Sequence, residues 1–332
     1  MSLLFLATVL GGCAQPQLAS ENTNPAPIPT EEEVEIQFFK IGIVQLAEHP
    51  ALEDARMGTI DALADAGFVE DVNVSYDYQN AQGDPAAALT ISQGFVNDNV
   101  DLIIAITSLA LQEAAQVTQD IPIVFNSATD PHAAGVIESW VQPASNVTGV
   151  SDLNPVKETL ELILEIHPES KTIGVIYNRG EVNSVVQVDM AREIALELGL
   201  EIVESTVAHT GEVGTATEAL MGKVDAIFLP TDNTAMTAFQ CILTVTEENN
   251  ILVVGSATEF AKAGAVAAIG FNYYDLGYQS GIMAAEVLNG ANPAEMPIQL
   301  PSIVFYAINE AAAANIGIEL PQGLVKRARL KY

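Results

Sequence analysis

From Phe38 onward the chain alternates short apolar runs with longer segments in which apolar residues recur every three or four positions. Continuous apolar runs bounded by turn residues predict strands buried on both faces, and the longer spacing predicts helices that cover them. The first series gives strands at 39–48, 72–80, 100–107 and 121–128, with helices at 50–67, 84–98 and 109–119 between them. A second series restarts further along, with strands at 171–178, 201–208, 224–231 and 251–258. Its helices fall at 184–200, 212–222 and 234–249, the first of them capped by Gly199. Strict strand–helix alternation predicts parallel α/β units.

The two series match element by element. Lys40-Ile41-Gly42-Ile43-Val44 parallels Lys171-Thr172-Ile173-Gly174-Val175, Asp101 parallels Asp225, and Ser127-Ala128-Thr129-Asp130 parallels Ser256-Ala257-Thr258-Glu259. The match implies a duplicated lobe. Both series also end strands in polar side chains. "VDLIIAITS" stops at Thr107-Ser108, and "VDAIFLPTDN" stops at Thr231-Asp232-Asn233. Doubly wound sheets bind ligands at the carboxyl ends of their strands, so two such lobes facing each other make a cleft. Asp232 and Asn233 are expected on one side and Thr107-Ser108 on the other. The helix starts near 109 and 234 offer backbone N–H groups suited to an anion. Plain helix capping is the other account of Ser108 and Asp232.

Composition narrows the function. The chain has 332 residues, which suits two domains, and 49% of them are hydrophobic, which allows large cores. Twelve Lys plus Arg against 43 Asp plus Glu give a net charge of −31. That charge disfavours nucleic acid and polyanionic ligands, which rely on basic contacts. Cys13 and Cys241 do not make a disulfide scaffold, and Cys241, in "MTAFQCILTV", is expected to be a small core residue.

The N-terminus reads as an address. "MSLLFLATVLGGCAQPQ" is an apolar run too short to span a bilayer, ending in small residues and a cysteine. Leu10-Gly11-Gly12-Cys13 resembles a bacterial lipobox, with Gly11 a less usual occupant and no Lys or Arg before Lys40. Residues 14–37 are rich in Pro, Asn, Gln and Glu, as a flexible tether is. Lipidation of Cys13 and attachment to an extracytoplasmic membrane face are the expectation.

Catalytic signatures are missing. No phosphate loop, dinucleotide fingerprint or GxSxG elbow occurs, and His49, His132, His167 and His209 lack metal spacing. Glu48-His49 at the first strand end could form an acid–base pair, but no nucleophile or second base accompanies it, so Glu48 reads as a ligand contact or a turn residue. Neither catalytic residues, nor a metal, nor a cofactor is expected.

The segments "KIGIVQLAEHPALEDARMGTIDALADAGF", "YQNAQGD", "TDP", "NVTGVSDL", "VNSVVQV", "VDAIFLPTDNT" and "GFNYYDLG" occur in order. Together they resemble ABC-transporter substrate-binding proteins of the tryptophan/tyrosine-type family, from Lys40 to about Pro321. The resemblance implies a type I periplasmic-binding-protein fold: α/β, with two doubly wound parallel-sheet lobes joined by three crossing segments. These fall near 148–152, 270–274 and 300–305. Together with the N-terminal reading, it divides the chain into a signal peptide with its cysteine (1–13), a tether (14–37), an N-terminal lobe (38–150 plus 273–301) and a C-terminal lobe (151–272 plus 302–332). It implies a small zwitterionic ligand, an aromatic amino acid by preference, passed to an ABC permease by a monomeric receptor that closes around it. The ligand set expected at the strand ends and crossings is Glu48, Ser108, Ser127, Thr129, Asp130, Asp152, Tyr177, Asn178, Asn183, Thr231, Asp232, Asn233, Ser256, Asn272 and Tyr273. In this scheme Asp232 holds the ammonium, Ser108 and its helix hold the carboxylate, and Tyr177, Tyr273 and Tyr274 stack a ring or pack the hinge. Rival readings are a sensor of the same fold, a receptor for another solute such as a nucleoside, a repressor, or an enzyme using Glu48 and His49.

Overall fold

The computed structural model describes residues 37–332, with Thr8, Gly11 and Gly12. The rest of the apolar N-terminal run, Cys13 and the tether lie outside the described residues.

The first series folds as β1 (Phe39–Gln45), α1 (Pro50–Asp65), β2 (Val74–Asn80), α2 (Pro85–Asn97), β3 (Leu102–Ile106), α3 (Ser108–Val117), β4 (Ile123–Asn126) and β5 (Val147–Val150). The strands make one parallel sheet in the order β2-β1-β3-β4-β5. The chain then runs through α4 (Val156–Ile166), β6 (Thr172–Asn178), α5 (Val182–Leu198), β7 (Glu201–Val207), α6 (Val213–Glu218), β8 (Ala226–Leu229), α7 (Asn233–Thr237), α8 (Phe239–Glu248), β9 (Leu252–Gly255), α9 (Thr258–Ala263) and β10 (Ala267–Gly270). After α10 (Tyr273–Leu288) come β11 (Phe305–Ile308), α11 (Glu310–Asn315), α12 (Gln322–Arg327) and β12 (Leu330–Lys331). The second sheet is ordered β7-β6-β8-β9-β10-β11-β12, parallel except where β11 runs against β10.

Both sheets therefore start with the same winding, in which the first strand lies between the second and third. The matched Asp101 and Asp225 do one job. Asp101 Oδ2 accepts from Lys40 N at 2.7 Å, and Asp225 Oδ2 accepts from Lys171 N and Thr172 N at 2.8 and 2.9 Å. Each aspartate ties the entry of the third strand to the start of the first strand of its lobe. The chain passes between the sheets after β5, after β10 and before β11.

α10 belongs with the first sheet, lying against α1 at very short range. A Cβ on Gly277 would sit 1.9 Å from the Ala55 carbonyl oxygen, and one on Gly58 would sit 2.1 Å from that of Tyr274. Only glycine permits this approach.

Two details differ from the sequence reading. The helix expected over 234–249 is broken at Ala238 into α7 and α8. Cys241 is exposed: α8 turns Phe239, Ile242, Leu243 and Thr246 inward, and Cys241 falls on the opposite face.

Candidate functional site

In an open α/β sheet the ligand crevice lies where the winding reverses, beyond the carboxyl ends of the two diverging strands. Here those strands are β1 and β3 in one lobe, β6 and β8 in the other. The segments after them meet. His49 follows β1, Glu181 follows β6 and Asn233 follows β8.

His49 is the N-cap residue of α1, held extended before Pro50, and its backbone oxygen accepts from Leu52 and Glu53 N–H. Its Nε2 lies 3.2 Å from Asn233 Oδ1, so the two lobes touch through a hydrogen bond. Glu181 precedes α5 and is buried. Its carboxylate accepts from Asn233 N and Nδ2 at 2.9 and 2.7 Å and from Thr234 N and Oγ1 at 3.0 and 2.7 Å. Asp232 caps α7: Oδ1 accepts from Ala235 N at 2.7 Å, and Oδ2 from Asn178 N at 2.8 Å and Ser184 Oγ at 2.6 Å. Asp152 accepts from Thr129 Oγ1 at 2.6 Å and Tyr273 OH at 3.1 Å.

Two spaces lie between the lobes. A small, narrow cavity of about 20 Å³ is lined by His49, Leu52, Ser127, Asp152, Asn183 and Asp232, with Thr231, Asn233, Met236, Ala257 and Tyr273 around them. A wide mouth of about 1210 Å³ shares His49 and Asn233 with it and adds Glu48, Glu53, Leu109, Asn178 and Glu181.

The electrostatics of this space are one-sided. No Lys or Arg lines the small cavity, and none pairs with Asp152, Glu181 or Asp232; at the mouth, Arg179 pairs with Glu204, and Arg56 with Glu53. Burial pushes the Asp152 carboxyl up to about 6. Burial and then the charge of Glu181 push Asp232 up as well. Nearby, burial takes Glu259 up to about 7. Burial pushes His49 the other way, toward the neutral ring. Buried carboxylates without a counter-charge favour a ligand cation between them.

Backbone strain gathers at the same strand ends. Thr107 has φ 98° and ψ 163°, a region that glycine ordinarily occupies, and Ser127 has φ 56°. Such conformations cost about 1–3 kcal/mol each and cluster at ligand sites.

Of the residues singled out from sequence, Ser127, Asp152, Asn183, Thr231, Asp232, Asn233 and Tyr273 line the small cavity. Glu48 and Asn178 line the mouth. Thr129 stands behind Asp152, and Ser108 is buried, its Oγ accepting from Thr129 N at 3.1 Å. Ser256 is buried and lines neither space.

Four others sit away from both. Tyr177 points into the C-terminal core and donates to Glu204 at 2.7 Å. Tyr274 donates to Asp61 at 2.8 Å. Asn272 is an exposed cap of α10, and Asp130 closes a turn by accepting from His132 and Ala133 N–H. Asp232 has a capping role as well as a place on the cavity wall, so the two accounts weighed from sequence are not exclusive.

His49, Glu181, Leu52 and Met236 were absent from the sequence-derived set. His49 had a signal, the polar Glu48-His49-Pro50 at a strand end. Glu181 had none, since it lies in an ordinary hydrophilic turn.

Two doubly wound lobes that meet on an acceptor-rich cleft define a solute-binding protein of the type I periplasmic-binding-protein fold. The chain matches the family model described as "ABC transporter substrate binding protein" over residues 40–331, and it belongs to that family. A relative named "Tyrosine-binding protein", from Clostridioides difficile (strain R20291), is 37% identical over 312 residues, 92% of this chain and 89% of the relative. A structure titled as the ABC domain in complex with L-Trp from Streptococcus pneumonia is 34% identical, covers 89% of this chain and 100% of that chain, and superposes with a TM-score of 0.86. A ligand-free, open structure of a substrate-binding protein with adhesive properties from Clostridium difficile is 38% identical, covers 89% of this chain and 99% of that chain, and has a TM-score of 0.69.

Proposed function

We propose that this protein is the extracytoplasmic receptor of an ABC importer and captures a zwitterionic amino acid, an aromatic one by preference, between its lobes. The observation that carries this is a pair of buried carboxylates, Asp152 and Asp232, on the wall of one small space that no Lys or Arg lines, with a third, Glu181, buried at the adjoining mouth and unpaired with any Lys or Arg. An α-ammonium supplies the missing charge. The first N–H groups of α3, at Ser108 and Leu109, have no partner within the helix and suit the carboxylate. Tyr273, Leu52 and Met236 supply apolar surface for a side chain. The L-Trp in one relative and the name of another support an aromatic ligand.

The lobes stand closed. At similar identity the chain superposes better on the L-Trp complex than on the open, ligand-free structure, with TM-scores of 0.86 and 0.69. The small cavity, about 20 Å³, has room for about one water, whereas small-molecule sites run to roughly 300–1,000 Å³. An amino acid therefore enters only when the lobes part about the three crossings. Closure then presents one joint surface to a permease. Binding and release need no bond chemistry, and we read the protein as a non-enzymatic, monomeric carrier tethered through a lipidated Cys13.

The test is mass spectrometry of small molecules carried through native purification from the source cells. An aromatic amino acid released on denaturation is the expected result. A sugar or nucleoside in its place overturns the amino-acid reading.

A further inference from the structure

Within the amino-acid-receptor reading, on which this inference rests, we propose that His49 selects the ligand: its Nδ1 accepts a hydrogen bond from the ligand's ammonium, while its Nε2–H ties the lobes together through Asn233.

The protonation pattern follows from the partners. Asn233 places its Nδ2 2.7 Å from Glu181 Oε2, and a carboxylate oxygen there calls for a donor, which fixes the orientation of the amide. Asn233 Oδ1 is then the atom that faces His49 at 3.2 Å, and a carbonyl oxygen only accepts. His49 Nε2 must carry the proton. In the neutral ring Nδ1 is left as a lone pair. That atom is buried, has no hydrogen-bond partner, and belongs to a side chain that lines the small cavity and is only 9% exposed. Burial lowers the basicity of the ring, which agrees with the neutral form.

The rest of the cavity wall shows which group the lone pair awaits. Asn183 also leaves its Oδ1 buried and unpartnered there, its Nδ2 being spent on Thr231 O at 2.7 Å. The Tyr273 hydroxyl donates to Asp152, and the Ser127 hydroxyl to Asn126 Oδ1 at 3.1 Å. The open valences at Nδ1 of His49 and Oδ1 of Asn183, beside the carboxylates of Asp152 and Asp232, are acceptors. An ammonium carries three donors and a positive charge, and it satisfies several of them at once. A phenol O–H or an indole N–H carries one donor and no charge. Glu53 and Glu181 are the charged groups that act on the ring, both of them anionic. A cation docked at Nδ1 is welcome there, and a protonated imidazole would oppose it.

Two substitutions separate the two nitrogens. His49→Gln sets its amide near the Nε2 position and keeps a bond to Asn233 without an acceptor at Nδ1. His49→Asn sets a carbonyl oxygen near Nδ1 and gives up the bond to Asn233. Both variants are titrated with L-Phe, L-Tyr and L-Trp, after melting curves confirm that they fold. His49→Gln is expected to weaken all three by about ten- to a hundredfold, and His49→Asn by clearly less. A loss confined to L-Tyr and L-Trp means that Nδ1 meets a ring donor and overturns the ammonium assignment. No loss for any of the three overturns the role of His49 altogether. Nitrogen-15 spectra of the histidine-labelled, empty protein test the tautomer independently of any ligand. A proton on Nε2 and none on Nδ1 at neutral pH is required, and the opposite tautomer sinks the proposal. Failure of the wild type to bind any of the three would instead fault the aromatic-ligand reading.

Discussion

Asp232 shows how one side chain serves two masters. The polar run Thr231-Asp232-Asn233 after an apolar strand marks it as a cleft residue, and it does line the cavity. Its oxygens are nevertheless taken by Ala235, Asn178 and Ser184. Asp232→Ala should therefore lower the melting temperature of the empty protein as well as weaken the ligand. Removing one member of a buried charge pair costs roughly 3–5 kcal/mol, or about two to three and a half decades of affinity. Glu48→Gln, at the exposed edge of the mouth, should change affinity less than about twofold. Calorimetry on both variants checks the contrast, and equal effects would remove the distinction between wall and edge.

The acids whose carboxyls are pushed up also set a pH response. Glu259 at about 7, with Asp232 raised in the same direction, keeps protons that the unfolded chain has already lost. That contribution is complete below the ordinary carboxyl range and is lost as pH rises through the folded-state values. His49, lowered from 6.5, acts in the opposite sense only below that value. Between pH 6.5 and 8 the melting temperature of the empty protein should fall. A rise over that window would contradict the assignment.

Strand ends are legible because a buried run must stop somewhere and the stop is polar. Which face a residue takes is harder to read. Ile173, Val175 and Tyr177 point to one side of β6 and Ile176 to the other, so Tyr177 goes to the core by strand parity.

At the scale of elements, the repeated winding was readable from matched apolar runs and the paired aspartates. The helix α10 was not, because its buried face is built from Gly277, Ser280, Gly281 and Ala284 beside a few larger residues. Small residues carry little periodic signal, yet they set the distance to α1. Gly277→Val should cost about 3 kcal/mol or more, since the added carbons meet backbone rather than a movable side chain. Gly94→Ala, in α2 with nothing within 4 Å of the new carbon, should gain about 0.5–1 kcal/mol. Urea denaturation of both proteins measures the difference. A neutral Gly277→Val would mean that the two helices are not held at this spacing. The break at Ala238 had no sequence signal, since the apolar spacing runs on through it.

On the scale of the whole molecule, the proposal adds to the two lobes a lipid anchor on Cys13 and a cleft that closes on its ligand. Cys13→Ser should move the protein from the membrane to the soluble fraction of its cells, and unchanged sedimentation with membranes would exclude a lipid anchor on that residue. The central claim is that the cleft binds an aromatic amino acid through its ammonium. Isothermal titration calorimetry of the purified protein, stripped of carried ligand, tests it most directly, with L-tyrosine, L-tryptophan, ribose and 3-phenylpropanoate (an aromatic acid without the ammonium) as titrants. The account predicts saturable one-to-one binding of at least one of the two amino acids, a negative heat-capacity change from buried apolar surface, and at least about a hundredfold weaker binding of the acid that lacks the ammonium. Binding of ribose with no heat from either amino acid, or equal affinity for 3-phenylpropanoate, would contradict it.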